Sequence, residues 1–208
     1  MGCDRRYGTL CATIALALAV APGGADARAV RSMLEMRHDS VVVQKWDLSC
    51  GAAAVTTLLR YQHGMPITER DVAIGLMRQE RYVEHPELVR IRHGFSLLDI
   101  KRFVESRGLS GTGFGGLDLE DLVDKAPVMV PIRTNGYNHF VVFRGTLGDR
   151  VLLADPAFGN RTMTRSKFER AWLEIEPFGR VGFIVGRDGE QSPPGALTAT
   201  AEDFFTMR

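Results

Sequence analysis

The sequence predicts an α+β domain in which helices come first and pack on an antiparallel sheet. Two helical signals carry the first half: the alanine-rich run after Cys50 and the capped run after Ser96. Short apolar, β-branched runs carry the second half, at Pro127–Ile132, His139–Phe143 and Val151–Ala154. The last two are joined through Gly148-Asp149, a pair that suits a tight hairpin and makes the strands antiparallel.

Taken in chain order, Arg5 and Arg6 precede an apolar run from Leu10 to Val20, followed by the small-residue sequence Ala25-Asp26-Ala27. That pattern reads as a signal peptide cut after Ala27, so the mature protein is expected outside the cytoplasm, in the periplasm. An uncleaved anchor is the rival reading, but the run is shorter than the roughly 20 apolar residues a membrane span needs. Val41-Val42-Val43 is extended in type and should enter the following helix as a strand. Gly51 to Arg60 is rich in helix formers and sets Ala54, Leu58 and Tyr61 on one stripe. A second helix is expected over residues 68–79, and the weakly periodic stretch from Arg78 to Phe95 as a loop beside a cleft. Ser96 and Asp99 form a capping-box-like pair for a third helix that Gly108 ends. Asp118 to Lys125 and Phe168 to Trp172 are two more short helices. From Asp188 the chain is rich in turn formers and predicts a flexible tail. The expected layout is therefore signal peptide 1–27, one domain 28–187, and tail 188–208.

Composition excludes several function classes. With 26 basic against 25 acidic residues there is no net field to attract nucleic acid or an anionic membrane. No G-x-x-x-x-G-K-[ST] loop is present, so no ATP-binding domain is expected in this chain. Neither a C-x-x-C nor an H-E-x-x-H motif occurs, and no metal or other cofactor is expected.

Chemistry gathers around four residues. Cys3 and Cys11 would leave with the signal peptide, so Cys50 is alone in the mature chain. A lone exported thiol is either a small buried apolar residue or a reactive group. Its place favours reactivity: Asp47 and Ser49 are capping types, and the first turn of a helix stabilises a thiolate. Gln44, six positions earlier, is either surface or a side-chain donor for an oxyanion. His139 opens a buried strand and is either a satisfied structural histidine or the base for the thiol. His38, His63, His85 and His93 are read as structural. Asp155 ends the next strand and returns to the His139 end of the sheet, where it could orient the imidazole. Asp149, in the turn itself, is the weaker candidate.

Two segments, Gln44-Lys45-Trp46-Asp47-Leu48-Ser49-Cys50-Gly51 and Gly136-Tyr137-Asn138-His139-Phe140, resemble the active-site segments of cysteine peptidase family thirty-nine, the bacteriocin-processing or double-glycine leader peptidases. The resemblance runs from about Val41 to Val185 and implies a papain-like fold with Cys50, His139, Asp155 and Gln44 as the catalytic set. Many members place Asp directly before the cysteine, where Ser49 stands here. This form is similar to stand-alone exported members, including those of functional-amyloid secretion systems. Gly159-Asn160-Arg161 is also similar to such members, without a catalytic role attached. The resemblance implies hydrolysis after a Gly-Gly-like pair in a secreted polypeptide, with a separate membrane exporter as a potential partner. A catalytically silent module that binds a secretion client is the alternative, and acyl transfer to another amine is a third reading.

Overall fold

The computed structural model describes residues 31–91, 94–187 and 195–206. The expected signal peptide and its expected cut after Ala27, His93 and the start of the tail at 188–194 lie outside the described residues. Among the described residues no helix is long and apolar enough to cross a membrane, and no group of three His, Cys, Asp or Glu could hold a metal ion.

Helices dominate the first half: α1 (Met33–His38), α2 (Cys50–Thr57), α3 (Glu69–Met77), α4 (Glu80–Glu84), α5 (Leu88–Ile91) and α6 (Leu97–Glu105). Capping boxes start three of them, with Ser32, Thr68 and Ser96 each accepting from the N3 backbone N–H while the N3 acid reaches back. Thr56 and Thr57 bond back to Ala52 O (2.6 Å) and Ala53 O (3.0 Å), and α2 then loosens into a π-helical turn over Leu58–Gln62.

The second half runs β1 (Ser110–Phe114), α7 (Leu119–Lys125), β2 (Val128–Thr134), β3 (Tyr137–Leu147), β4 (Arg150–Asp155), β5 (Gly159–Thr164), α8 (Arg165–Ala171), β6 (Glu174–Ile175), β7 (Gly179–Arg180) and β8 (Gly182–Gly186), with α9 (Ala201–Thr206) near the end. Six strands form one antiparallel sheet in the order β1-β8-β2-β3-β4-β5, and β6 and β7 make a separate hairpin. The expected hairpin is there: Leu147 pairs Arg150 across Gly148-Asp149, with Gly148 at φ 54°. β2 and β3 join through Asn135-Gly136, both at positive φ, as a two-residue hairpin turn demands.

Both faces of the sheet are buried, which is why its strands read as continuous apolar runs. On one face Met129, Val142, Ala154 and Phe183 pack with Ala54, Leu58, Val72, Ile100 and Phe103 of the N-terminal helices. On the other, Val130, Val141, Phe143 and Leu153 pack with Leu122 of α7, Phe168 of α8 and Trp172. The expected helices-then-sheet order thus holds, with α7 and α8 added behind the sheet.

Three expectations change. Val41–Val43 is extended but joins no ladder: Val42 N donates to Thr57 Oγ1 (3.0 Å) and Gln44 N to Pro156 O (2.8 Å), so its N–H groups meet a helix side chain and the β4–β5 turn and not a strand. The stretch from Arg78 to Phe95 holds two short helices, α4 and α5, and Tyr82 from it is buried against Phe95. The tail is not free over residues 195–206: Leu197 is fully buried and Phe204 packs on Leu152. Its anchor is Arg144, the extra residue at a bulge in β3, which is 5% exposed. Arg144 donates to Leu197 O (3.0 Å) and Asn160 Oδ1 (2.9 Å) and pairs with Asp203 (3.4 Å).

Ending the chain at residue 194 would strip a buried guanidinium of Leu197 O and Asp203 and leave it Asn160 Oδ1. The expected result is a loss of about 3 kcal/mol in urea unfolding. Replacing Arg144 by Met in the shortened chain should recover part of it, since an apolar side chain needs no acceptor.

Candidate active site

The site is built where α2 begins and where β3 starts beside the end of β4. All eight residues of α2 are buried, and the helix comes this close to the sheet because its first turns are Gly and Ala. A Cβ on Gly51 would stand 3.3 Å from Ile100 Cδ1 and 3.4 Å from Phe140 Cδ2. Cys50 is thereby pressed against the His139-Phe140 step of β3, free of any disulfide and 7% exposed.

His139 is 8% exposed, and its Nε2 lies 2.7 Å from Asp155 Oδ1. That leaves Nδ1 as the ring nitrogen for the sulfur. Asp155 is wholly buried and fully bonded: Oδ1 also accepts from Ala157 N (2.8 Å), and Oδ2 from Arg161 Nε (2.7 Å). The register explains the meeting. Val142 pairs Ala154 across β3 and β4, so Asp155 and His139 are diagonal neighbours on one face of the sheet.

Electrostatics follow from the packing. Burial alone would push the Cys50 thiol up, but the His139 hydrogen bond, the Phe140 and Gly51 backbone N–H groups and the imidazole charge hold it below the ordinary thiol value. Burial would likewise lower His139, yet the hydrogen bonds and charges of Asp155 and Cys50 raise it to about 9. For Asp155 burial is again the largest single influence and acts upward, but His139, Arg161 and Ala157 N keep the carboxyl below its usual range. Each group thus shifts the other toward its charged form, a thiolate beside an imidazolium, which is the form of a sulfur nucleophile.

Gln44 is the fourth expected residue. Its backbone is tied beside the Asp155 corner through Pro156 O, but its side-chain Nε2 turns back on its own loop to Trp46 O (3.1 Å). The structure therefore brings Cys50, His139 and Asp155 into one bonded row and leaves the Gln44 amide on the adjoining loop. Asp149 sits in the β3–β4 turn at the far end of those strands. Of the other described histidines, His63 meets Val185 O (3.0 Å) and His85 meets Glu87.

Two residues support the site without having been given a role in the sequence reading. Arg161 holds the second oxygen of Asp155. Glu69, at the start of α3 and 4% exposed, accepts from Lys45 N (3.1 Å) and Ser49 Oγ (2.6 Å), so it fixes the loop between Gln44 and Cys50, in which Leu48 sits at φ 67°. Ser49 heads α2 without capping it by its side chain, because its hydroxyl goes to Glu69 and Trp46 O. Arg161 stands in the Gly159-Asn160-Arg161 run that resembles family members, but nothing in the sequence ties it to Asp155; Glu69 bonds to Lys45 N and Ser49 Oγ, contacts that leave no mark on sequence.

A cleft of about 440 Å³ opens over Cys50 and His139. One wall is Phe95, Leu97 and Leu98 at the start of α6; the other is Leu173, Ile175 and Phe178 around the β6–β7 hairpin. Leu98, Ile175 and Phe178 are 50%, 39% and 64% exposed, an apolar surface that suits an extended apolar ligand.

Comparison with known proteins agrees with this picture. The model of the Peptidase C39 family matches residues 38–176. The chain is 37% identical over 184 residues to a probable functional amyloid protease FapD of Pseudomonas aeruginosa, covering 85% of this chain and 76% of that protein. It is 35% identical over 190 residues to the protein of the same name in Pseudomonas fluorescens, covering 88% and 80%. In fold it is similar to a double glycine motif protease from an AMS/PCAT transporter, solved with the leader peptide (TM-score 0.55, 22% identity, 73% of this chain and 95% of that one). It is also similar to the peptidase domain of Streptococcus ComA, a bi-functional ABC transporter (TM-score 0.56, 14% identity, 73% and 100%). The fold is thus the papain-like one, and the chain belongs to the Peptidase C39 family as a cysteine-type peptidase.

Proposed function

We propose that this peptidase is exported and cuts a secreted polypeptide after a pair of small residues, with Cys50 as nucleophile, His139 as acid and base, Asp155 as orienter and Gln44 as an oxyanion donor. The observation that carries the reading is the bonded row from Asp155 through His139 to the sulfur at the head of α2. In the first half-reaction the thiolate forms a bond to the scissile carbonyl carbon. The Cys50 backbone N–H and a Gln44 amide N–H receive the oxyanion, the latter after swinging from Trp46 O. The C–N bond then breaks as His139 gives its proton to the departing amine, leaving a thioester. In the second half-reaction His139 takes a proton from water as the water oxygen attacks that thioester, and collapse restores the thiolate and imidazolium.

Depth supports the small-residue specificity. With Cys50 only 7% exposed, a carbonyl reaches the sulfur most readily where the flanking residues lack bulk. The apolar cleft walls would hold the rest of the polypeptide. Relatives named as functional amyloid proteases support a client of an amyloid secretion system, and family neighbours taken from transporters support a separate exporter as partner. Export itself rests on the N-terminal pattern ending at Ala27.

The test is cleavage of paired peptides read by mass spectrometry. A peptide with Gly-Gly after an apolar stretch is expected to be cut after the second glycine. Replacing that pair by Leu-Leu should slow cleavage about 100-fold, the usual cost of displacing a reacting carbonyl by about 1 Å. Equal cleavage of both peptides would sink the specificity.

A further inference from the structure

We propose that Arg161 is a positioning residue of this peptidase, which pins the second oxygen of Asp155 so that its first oxygen aims at His139, and whose charge limits how tightly the imidazolium is held. The proposal rests on the catalytic roles given above to Cys50, His139 and Asp155.

Three neighbouring strands supply the row: His139 on β3, Asp155 on β4 and Arg161 on β5. Leu153 pairs Arg161 and Asp155 pairs Gly159, so Arg161 reaches Asp155 diagonally, as His139 does from the other side. The Nε–Oδ2 contact is 2.7 Å, and the Phe158 ring covers the guanidinium with its centroid 5.1 Å from Cζ. Asp155 is its counter-ion: the cavity of about 230 Å³ that Arg161 lines also receives Arg133 from β2 and Lys167 from α8, and no carboxylate lines it.

As a stabilising ion pair this one is poorly made. The contact is single rather than forked, and Arg161 Nη2 is buried without a partner among the described residues. What the single contact does achieve is a fixed carboxylate plane, with Oδ1 left to His139 Nε2 and Ala157 N. It also sets a permanent cation behind the Asp155–His139 pair. The groups facing His139 are Cys50 from α2 and Asp155 from β4, with Arg161 behind the latter.

Removing that cation takes away a repulsion on the imidazolium, so His139 should give up its proton at higher pH. The experiment compares the full-length native protein with Arg161→Gln and Arg161→Lys on the Gly-Gly peptide, with kcat/KM measured from pH 5 to 10.5. Rates are normalised to the fraction of Cys50 that iodoacetamide modifies, read on the Cys50 peptide by mass spectrometry. Arg161→Gln is expected to lower kcat/KM about 10- to 100-fold, as loss of an outer-shell partner does, and to move the alkaline limb upward. Arg161→Lys should keep the limb in place and recover part of the rate. A merely structural arginine would lower the rate with the limb unmoved, and an unmoved limb in Arg161→Gln overturns the proposal. If Arg161→Gln does not fold, Arg161→Met takes its place, where an alkaline limb moved upward supports the proposal and an unmoved limb overturns it; a limb displaced in Arg161→Lys also overturns it. Slow, ordinary alkylation of native Cys50 would instead overturn the underlying catalytic roles, so the two failures are distinguishable.

Discussion

Replacing Cys50 by Ala is expected to end peptide hydrolysis, with a loss of about 10⁴-fold or more in kcat, while leaving the protein folded. In the proposed mechanism the sulfur forms the covalent bond, and Cys50 is the free thiol of the described chain. Stability should hardly change, because the side chain fills a small buried volume beside Gly51 and Phe140 that a methyl group also fills acceptably. Replacing His139 by Ala is expected to be nearly as damaging, for a different reason. Without the imidazole its hydrogen bond and charge no longer lower the Cys50 thiol, while burial still pushes it up. Alkylation at pH 6.5 separates the two effects. Native protein should be modified fast there, below the pH at which a free thiol ionises, and His139→Ala should be modified slowly. Undiminished cleavage by Cys50→Ala would remove the thiol from the chemistry.

Much of this was legible in the sequence because the signals were local. Ser49 before an alanine-rich run placed Cys50 at a helix start, and Gly148-Asp149 between two β-branched runs forced the hairpin that returns Asp155 to His139. Helix ends marked by Ser96 and Asp118 were found at those residues, as N-caps of α6 and α7. What stayed hidden depends on contacts between distant segments. Val41–Val43 has the composition of a strand, but only the fold decides that its N–H groups meet Thr57 and Pro156 rather than a ladder. β1, with its sequence Ser-Gly-Thr-Gly-Phe, carries almost no strand propensity and is recruited by β8, where Gly111 lets the Phe183 ring lie against the backbone. Arg144 and the tail depend on each other in the same way, since a bulge in β3 and carbonyls some fifty residues later complete one cluster. Arg161 and Glu69 entered the site by their side-chain partners alone, and no spacing rule connects them to Cys50.

Asp155→Asn is expected to strike activity and stability together. An amide at this position can offer Nδ2–H to His139 and so favour the wrong tautomer, and it cannot balance the imidazolium. The expected loss in kcat is on the order of 10⁴-fold. The stability cost follows from the three donors that meet this carboxylate: His139 Nε2, Ala157 N and Arg161 Nε. With the charge gone, Arg161 is left partly buried without its counter-ion, and about 3–5 kcal/mol should be lost in unfolding at pH 7. The pH dependence identifies the cause. Asp155 titrates below its ordinary 3.8 when folded, so its contribution is present above that value and lost as pH falls through the depressed one. His139 is raised from 6.5 to about 9, so its contribution is full below 6.5 and lost as pH rises through 9, up to about 3 kcal/mol. Cys50, lowered from its ordinary 9.0, acts in the opposite sense over this range, so the His139 contribution is read in Cys50→Ala, which should become easier to unfold by urea as pH rises above 6.5. Adding Asp155→Asn to Cys50→Ala leaves the imidazolium with neither partner, and the same decline should be shallower. Parallel declines in the two proteins would mean that Asp155 does not hold the proton on His139, and the orienting role would then have to be given up.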